Sequence, residues 1–335
     1  MSTLPLSDFA AGLRLESRLV NLRADLERAG EELTTGRVAD YSGFSGPALQ
    51  RAFAFEADDK LLAQSETDLG RALNRASAAQ AALGSIDAAL GTSGTDLLAA
   101  LGRGDPVSAN TYLEEISQAY DATVASLNTR YAGRAQFAGA AEDGYALADS
   151  SVMLNDIRTI LAAAPDAATA RADIDTYFGA AGGFETSIYL GSSQDAAPVR
   201  IPDGTGQDYL VRADSQEMRD TLKALVSLAA IQGGGFGGSA AEEEAFTEAA
   251  ALDLQEAGTD ITALRARIGV AEEALSIGVD EVQAERNALA RATNDLVGVD
   301  PFVAATRFND LQGQLESLYT VTARLSGLSL TNFLR

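Results

Sequence analysis

The sequence predicts a mainly α-helical chain: a long coiled-coil-like helical rod formed by the N- and C-terminal segments, with a small inserted α+β domain. Three observations predict it. Apolar residues recur every seven positions along several long stretches. Clusters of Gly, Pro and Ser punctuate those stretches. Strand-like runs are confined to residues 186–211. The apolar fraction of 46% is carried mainly by Ala and Leu, beside 31 Gly, with 6% aromatics and no Trp, a composition suited to helices packed closely along a seam.

The first forty residues read as a helix. Leu15, Leu22 and Ala29 repeat every seven residues, and Leu19, Leu26 and Leu33 form the companion row four residues on. The helix is expected to stop at Thr34-Thr35-Gly36, where Gly suits a C-terminal cap. A loop, Ser42-Gly43-Phe44-Ser45-Gly46, follows, and Pro47 fits the first turn of the next helix. That second helix carries Phe55, Leu62, Leu69, Ala76, Leu83, Leu90 and Leu97 in strict register, with Gly102, Gly104 and Pro106 expected to end it. A third helix holds Leu113, Ile116, Tyr120, Val124, Leu127 and Tyr131 at spacings of three and four.

The texture changes after Gly133. Short helices are expected near 150–163 and 168–178. Thr186–Leu190, Val199–Ile201 and Tyr209–Val211 read as strands, with Asp203-Gly204-Thr205-Gly206 as a hairpin turn between the last two. A helix over 215–230 closes the segment, and Gln232-Gly233-Gly234-Gly235-Phe236-Gly237-Gly238-Ser239 reads as a flexible exit. The heptad pattern then resumes at Ile261, Ile268, Leu275, Val282, Leu289, Leu296 and Val303. Asp300-Pro301 interrupts it, and Leu311, Leu318 and Leu325, flanked by Phe308 and Leu315, lead to the close Leu328-Ser329-Leu330-Thr331-Asn332-Phe333-Leu334-Arg335. The expected division is 1–40 with 301–335 as terminal helices, 41–140 with 240–300 as a helical rod domain, and 145–231 as the inserted outer α+β domain. An amphipathic helix at each end cannot cover its stripe alone. Leu15, Leu19, Leu22, Leu26, Leu33, Leu311, Leu315, Leu318, Leu325, Leu328, Leu330, Phe333 and Leu334 are therefore the candidate assembly interface. The core of an ordinary helical bundle is the other reading of these rows.

Charge and composition narrow the function. The net charge is −23 and the pI near 4.3, which disfavours nucleic acid and anionic membranes as partners, because both are bound through cations. The acid is unevenly spread. Residues 1–40 and 301–335 together carry −1, and residues 41–300 carry −22. The chain has no Cys, hence no disulfide or thiolate metal site, and no His, the commonest general base and transition-metal ligand. Neither a basic n-region with an apolar h-region nor a membrane-spanning stretch is visible. That leaves a cytoplasmic protein, or export without a cleaved signal.

Motifs that mimic enzymatic sites dissolve on inspection. Gly233-x-Gly235-x-x-Gly238 has dinucleotide-fingerprint spacing, but it follows a helix and precedes Glu242-Glu243-Glu244, which would repel a pyrophosphate. Asp203-Gly204-Thr205-Gly206-Gln207-Asp208 lacks the spacing and closing Glu of a calcium loop. Asp58-Asp59 and Glu272-Glu273 are adjacent on helices and point in different directions. No catalytic, cofactor-binding or metal-binding residue is expected, no cofactor, and no enzymatic activity.

The organisation resembles the flagellin family and, within it, the hook–filament junction proteins of the hook-associated protein 3 type. Val299–Phe308, Gln314–Tyr319 and Leu328–Leu334 are similar to the C-terminal end of that group; Glu32–Arg37 is similar to its first helix end and loop; and Gly133–Gly139 is similar to its link into the outer domain. The first eight residues depart from the usual start of both flagellins and junction proteins, while the loop after Gly36 lacks the Asp-Asp pair common in flagellins and their Ser-Arg-Ile signature before the last helix is missing. The resemblance implies terminal helices packed in an axial tube and a self-assembling structural protein that joins hook-side proteins to the filament. It further implies export through the flagellar secretion apparatus to an extracellular flagellum. The implied partners are other copies of the chain in a ring or helical lattice, a hook-side junction protein, flagellin and an export chaperone. A filament flagellin and a non-flagellar cytoplasmic coiled-coil scaffold are the alternatives.

Overall fold

A computed structural model describes the backbone of residues 6–44 and 46–333, and the side chains of residues 13–42, 44 and 46–324. The fold is mainly α, 75% helical. The described residues form nine α-helices: α1 (Leu6–Thr35), α2 (Gly46–Leu90), α3 (Ser93–Gly102), α4 (Pro106–Leu127), α5 (Ser150–Ala163), α6 (Ala167–Phe178), α7 (Gln216–Gln232), α8 (Ala240–Val297) and α9 (Pro301–Phe333). Two antiparallel ladders of two residues per strand complete them, β1 (Arg130–Tyr131) with β2 (Arg134–Ala135), and β3 (Val199–Arg200) with β4 (Gly206–Gln207).

Helix boundaries follow local chemistry. Gly36 takes φ +68° just past α1, the left-handed conformation that a Cβ disfavours. Asp105 caps α4 by accepting the Ser108 N–H at 3.2 Å, with Pro106 in the first turn. Asp149 and Asp166 cap α5 and α6 in the same way, accepting from Ser151 and Thr169 at 3.0 and 2.8 Å. Asp300 caps α9 through the Phe302 N–H at 2.8 Å.

Four local expectations are corrected. The second helix does not run to Gly102: it breaks at Gly91, φ +46°, and α3 restarts at Ser93. Thr186–Leu190 is no strand; Phe184–Ile188 forms a π-helical turn, closed by the Tyr189 N–H on the Phe184 carbonyl at 2.8 Å. Tyr209–Val211 is irregular, and Val199-Arg200 pairs with Gly206-Gln207 instead. The Gly-rich run after α7 is strapped down. Gly237 N–H bonds to Leu161 O at 2.9 Å, and Phe236 packs against Phe246 with ring centroids 5.9 Å apart.

The chain divides into two compact units, a terminal one (1–64 with 283–335) and a central one (65–282). The central unit has one continuous core. Ile116, Tyr120 and Val124 of α4, Met153 and Ile157 of α5, Leu222, Leu225 and Ala229 of α7, and Phe246 and Leu254 of α8 all belong to it. Residues 145–231 thus share their core with α4 and α8. Inside this unit Arg75 is 7% exposed. Its guanidinium pairs with Glu142 at 2.6 Å, donates to Ala135 O at 3.4 Å and lies over the Tyr209 ring at 5.9 Å. A buried cation is tolerable only with such compensation.

Candidate assembly interface

The terminal unit is built on an antiparallel pair, α1 against α9. Small residues allow the two helices to approach. Ala29 and Ala304 are buried, and Gly30 faces the Phe308 ring, from which a Cβ would stand 3.4 Å. Further along, Arg23 Nε donates to the Tyr319 hydroxyl at 3.1 Å, and its guanidinium lies over that ring. These contacts set the register, which brings the Leu22 and Leu26 region of α1 opposite the 311–318 stretch of α9.

The two connectors, α1 to α2 and α8 to α9, are joined to each other. Arg37 and Gly298 form an antiparallel bridge in which Val38 N–H bonds to Val297 O and Val299 N–H to Gly36 O, both at 2.9 Å. Gly298 is required there, because a Cβ would overlap the Asn294 carbonyl oxygen. Glu32, 6% exposed, seals the junction. One carboxylate oxygen accepts the Ala39 N–H at 3.4 Å, and the other meets Arg307 at 3.2 Å. Nearby, Asp40 accepts the Ser42 N–H, which holds its carboxyl below the usual carboxylate range. Tyr41 donates to Glu56 at 3.2 Å and stacks edge-on against Phe44 and Phe53.

What this unit leaves uncovered is its main feature. Among its described side chains, those fully buried are Ala29, Glu32, Ala52, Thr293, Val297 and Ala304; no leucine and no aromatic ring is among them. The central unit, in contrast, encloses Tyr120, Phe137, Phe184 and Phe246. Of the residues singled out from the sequence, Leu15, Leu19, Leu22 and Leu26 on α1 and Leu311, Leu315 and Leu318 on α9 are half-buried, and Leu33 is exposed. The side chains of Leu325, Leu328, Leu330 and Phe333, and the whole of Leu334, lie outside the described residues. Leu13, Val20, Phe53, Leu61, Phe302 and Val303 are all more than half exposed, Phe302 at 81%.

Sequence reasoning did not single out Gly30, Phe308, Glu32, Arg307, Arg23 or Tyr319 as interface residues, nor the connector bridge. The sequence marks Phe308 as a heptad companion, and Glu32, Arg307, Phe308 and Tyr319 as members of family-like motif stretches, without placing any of them at the interface. Among the described residues no helix is long and apolar enough to cross a membrane, and no cluster of acids is arranged to hold a metal.

Comparisons agree with this geometry. Residues 253–334, the later part of α8 and nearly all of α9, match the family described as the bacterial flagellin C-terminal helical region. No curated protein sequence matches the chain. Among solved structures, a protein assigned as a flagellar hook-associated protein of Vibrio parahaemolyticus is 12% identical, with a TM-score of 0.52 over 76% of this chain and 100% of that one. FlgL of Bacillus cereus is 14% identical, with a TM-score of 0.50 over 72% of this chain and 99% of that one. At such identities the likeness is one of fold. The C-terminal quarter of this chain is therefore similar to the flagellin C-terminal helical region, on a fold shared with flagellar hook-associated proteins.

Proposed function

We propose that this chain is a structural subunit of the bacterial flagellum that assembles through α1 and α9. Its specific task in this reading is that of a junction adaptor between hook-side proteins and the filament. One observation carries the proposal: a two-helix pair whose leucine rows stay half-exposed, in a unit with no fully buried large ring among its described side chains. Completing the burial of one such leucine contributes about 1.5–3 kcal/mol relative to full exposure, and less from a half-buried start. Several together favour association strongly. The flagellin-type match over 253–334 supports the class, and the hook-associated fold neighbours support the adaptor role. The partners that follow are further copies of the chain, a hook-side junction protein, flagellin and an export chaperone. The route is export to the extracellular flagellum through the flagellar secretion apparatus.

A filament flagellin is the second reading, favoured by the description of the matched family itself. Deleting the gene separates the two. An adaptor's absence leaves hooks without filaments and flagellin released into the medium. Normal filaments in the deletion strain would remove the adaptor reading.

A further inference from the structure

Within the central unit, the corner between α2 and α3 meets α8 in a groove of about 390 Å³, a size within the range of about 300–1,000 Å³ typical of small-ligand pockets. Three glycines shape it. Gly91, at φ +46°, turns the chain out of α2. Gly94 lets the start of α3 press against α8, since a Cβ there would stand 3.0 Å from Ala251 O. Gly258 leaves a gap in the α8 wall, and a Cβ added to it would meet nothing within 4 Å. Leu90 and Leu254, both buried, form the apolar side of the groove. The rest of the lining is polar. Thr95, Gln255 and Thr259 are exposed, and their side chains make no hydrogen bond among the described residues. Thr262, by contrast, returns its hydroxyl to Gly258 O at 3.0 Å. Asp87 commits one carboxylate oxygen to Arg265 and keeps the other open.

This lining selects among ligand chemistries. An anion would meet the Asp87 carboxylate on a chain of net charge −23. A metal ion needs several oxygen ligands, and Asp87, the one acid that lines the groove, is already paired with Arg265. A wholly apolar ligand would strip water from the hydroxyl and amide groups without replacing their hydrogen bonds. A neutral polyhydroxylated ring meets none of these objections. Its hydroxyls both donate and accept, as do those of Thr95 and Thr259 and the amide of Gln255, while the open oxygen of Asp87 accepts. Its C–H face can rest on Leu90 and Leu254. We propose that this groove is a binding site for one unit of a neutral sugar. The site goes beyond the assembly role and uses no residue of α1 or α9.

Saturation-transfer difference NMR of the full chain tests this, with glucose, N-acetylglucosamine, cellotriose and chitotriose as probes at millimolar concentration. Transfer to the ring protons of at least one probe is expected. Two variants locate it. Gly258→Leu fills the groove from a position where a side chain has room, and it replaces a poor helix former with a good one, so the fold is kept. It should weaken binding by at least about tenfold. Q255A/T259A removes two exposed side chains that bond to nothing else among the described residues, and it should weaken binding by at least about threefold. A trisaccharide bound more than about tenfold more tightly than its own monosaccharide marks a glycan chain as the source of the sugar, and a smaller difference marks the free sugar; either result upholds the site. Absence of transfer to all four probes overturns the inference. Binding that either variant leaves intact places the sugar elsewhere and overturns it as well.

Discussion

Glu32 and Arg307, 275 positions apart in the chain, meet at 3.2 Å where the first helix ends and the last begins. The carboxylate is almost wholly buried, while the guanidinium is half exposed. Together with the Ala39 N–H it fixes the level at which both connectors cross. Because Val38 and Val299 are bonded across the same junction, α1 and α9 leave it as a pair, and their apolar rows are presented together.

Replacing Glu32 with Ala removes the acceptor of Ala39 and the partner of Arg307. Arg307 is left half-solvated, so the loss is smaller than for a fully buried pair: about 1–2 kcal/mol in the terminal unit. Amide hydrogen exchange should accelerate at residues 36–39 and 297–299, with the central unit unchanged. Unaltered exchange at those amides would show that the bridge stands without Glu32.

Phe308 lies over Gly30, where a Cβ would just meet the ring at 3.4 Å and a side chain reaching further would press on it. Phe308→Ala is expected to cost about 1–3 kcal/mol, below the fully buried value because the ring is only half covered. Gly30→Leu should loosen the pair by displacing the ring. Both variants should speed exchange along α1 and α9, which already rank low in local stability because so little of them is buried. Native α1 and α9 protected as strongly as α4 and α7 would contradict that ranking.

Within the central unit, Gly139 combines φ +61° with backbone on two sides. A Cβ there would overlap the Gln194 carbonyl and come within 2.7 Å of Ser192 O. The Ala140 N–H and Ser192 N–H bonds, 2.9 Å each, tie these segments together. Gly139→Ala should lower the stability of the central unit by more than 1 kcal/mol, read as a lower denaturant midpoint. A midpoint equal to that of the native chain would mean that the 192–194 segment yields freely.

Acid should weaken the central unit through its helix caps. Asp105 and Asp149 are held below the usual carboxylate range by the hydroxyl and backbone N–H of Ser108 and Ser151, and Asp166 by the backbone N–H and hydroxyl of Thr169. Their depressed pKa values stabilise the fold above the unfolded-chain value of about 3.9, and that contribution disappears as pH falls through the lower folded values. The triple variant D105N/D149N/D166N keeps an acceptor at each cap without the titration. Its stability should therefore vary less with pH between about 5 and 2 than that of the native chain. Identical pH profiles would remove the caps as a source of acid sensitivity.

Much of the fold was legible because helices repeat. The seven-residue rows located α1, α2, α8 and α9, and Gly36, Pro47, Pro106 and Asp300-Pro301 marked real boundaries. The break at Gly91 was hidden by the same regularity. Leu83, Leu90 and Leu97 keep their spacing across it and are all buried, so periodicity alone gives no sign that the backbone turns. The run at 186–190 has strand composition, but Gly182 and Gly183 crowd onto Tyr177 and the chain closes into a π turn instead. Tyr209 is placed by the Arg75 guanidinium rather than by a ladder. For the interface, the leucine rows were visible as rows. The Glu32–Arg307 pair and the connector bridge were not, because partners some 260 to 275 residues apart leave no periodic trace.

The central claim is that this chain is built into the flagellum, at the base of the filament. Gold labelling of intact flagella, with antibody raised against the central unit, tests it most directly. Label confined to a short zone between hook and filament is the predicted result. Label along the whole filament would make the protein a flagellin and contradict the adaptor role, and flagella free of label would contradict the flagellar assignment itself.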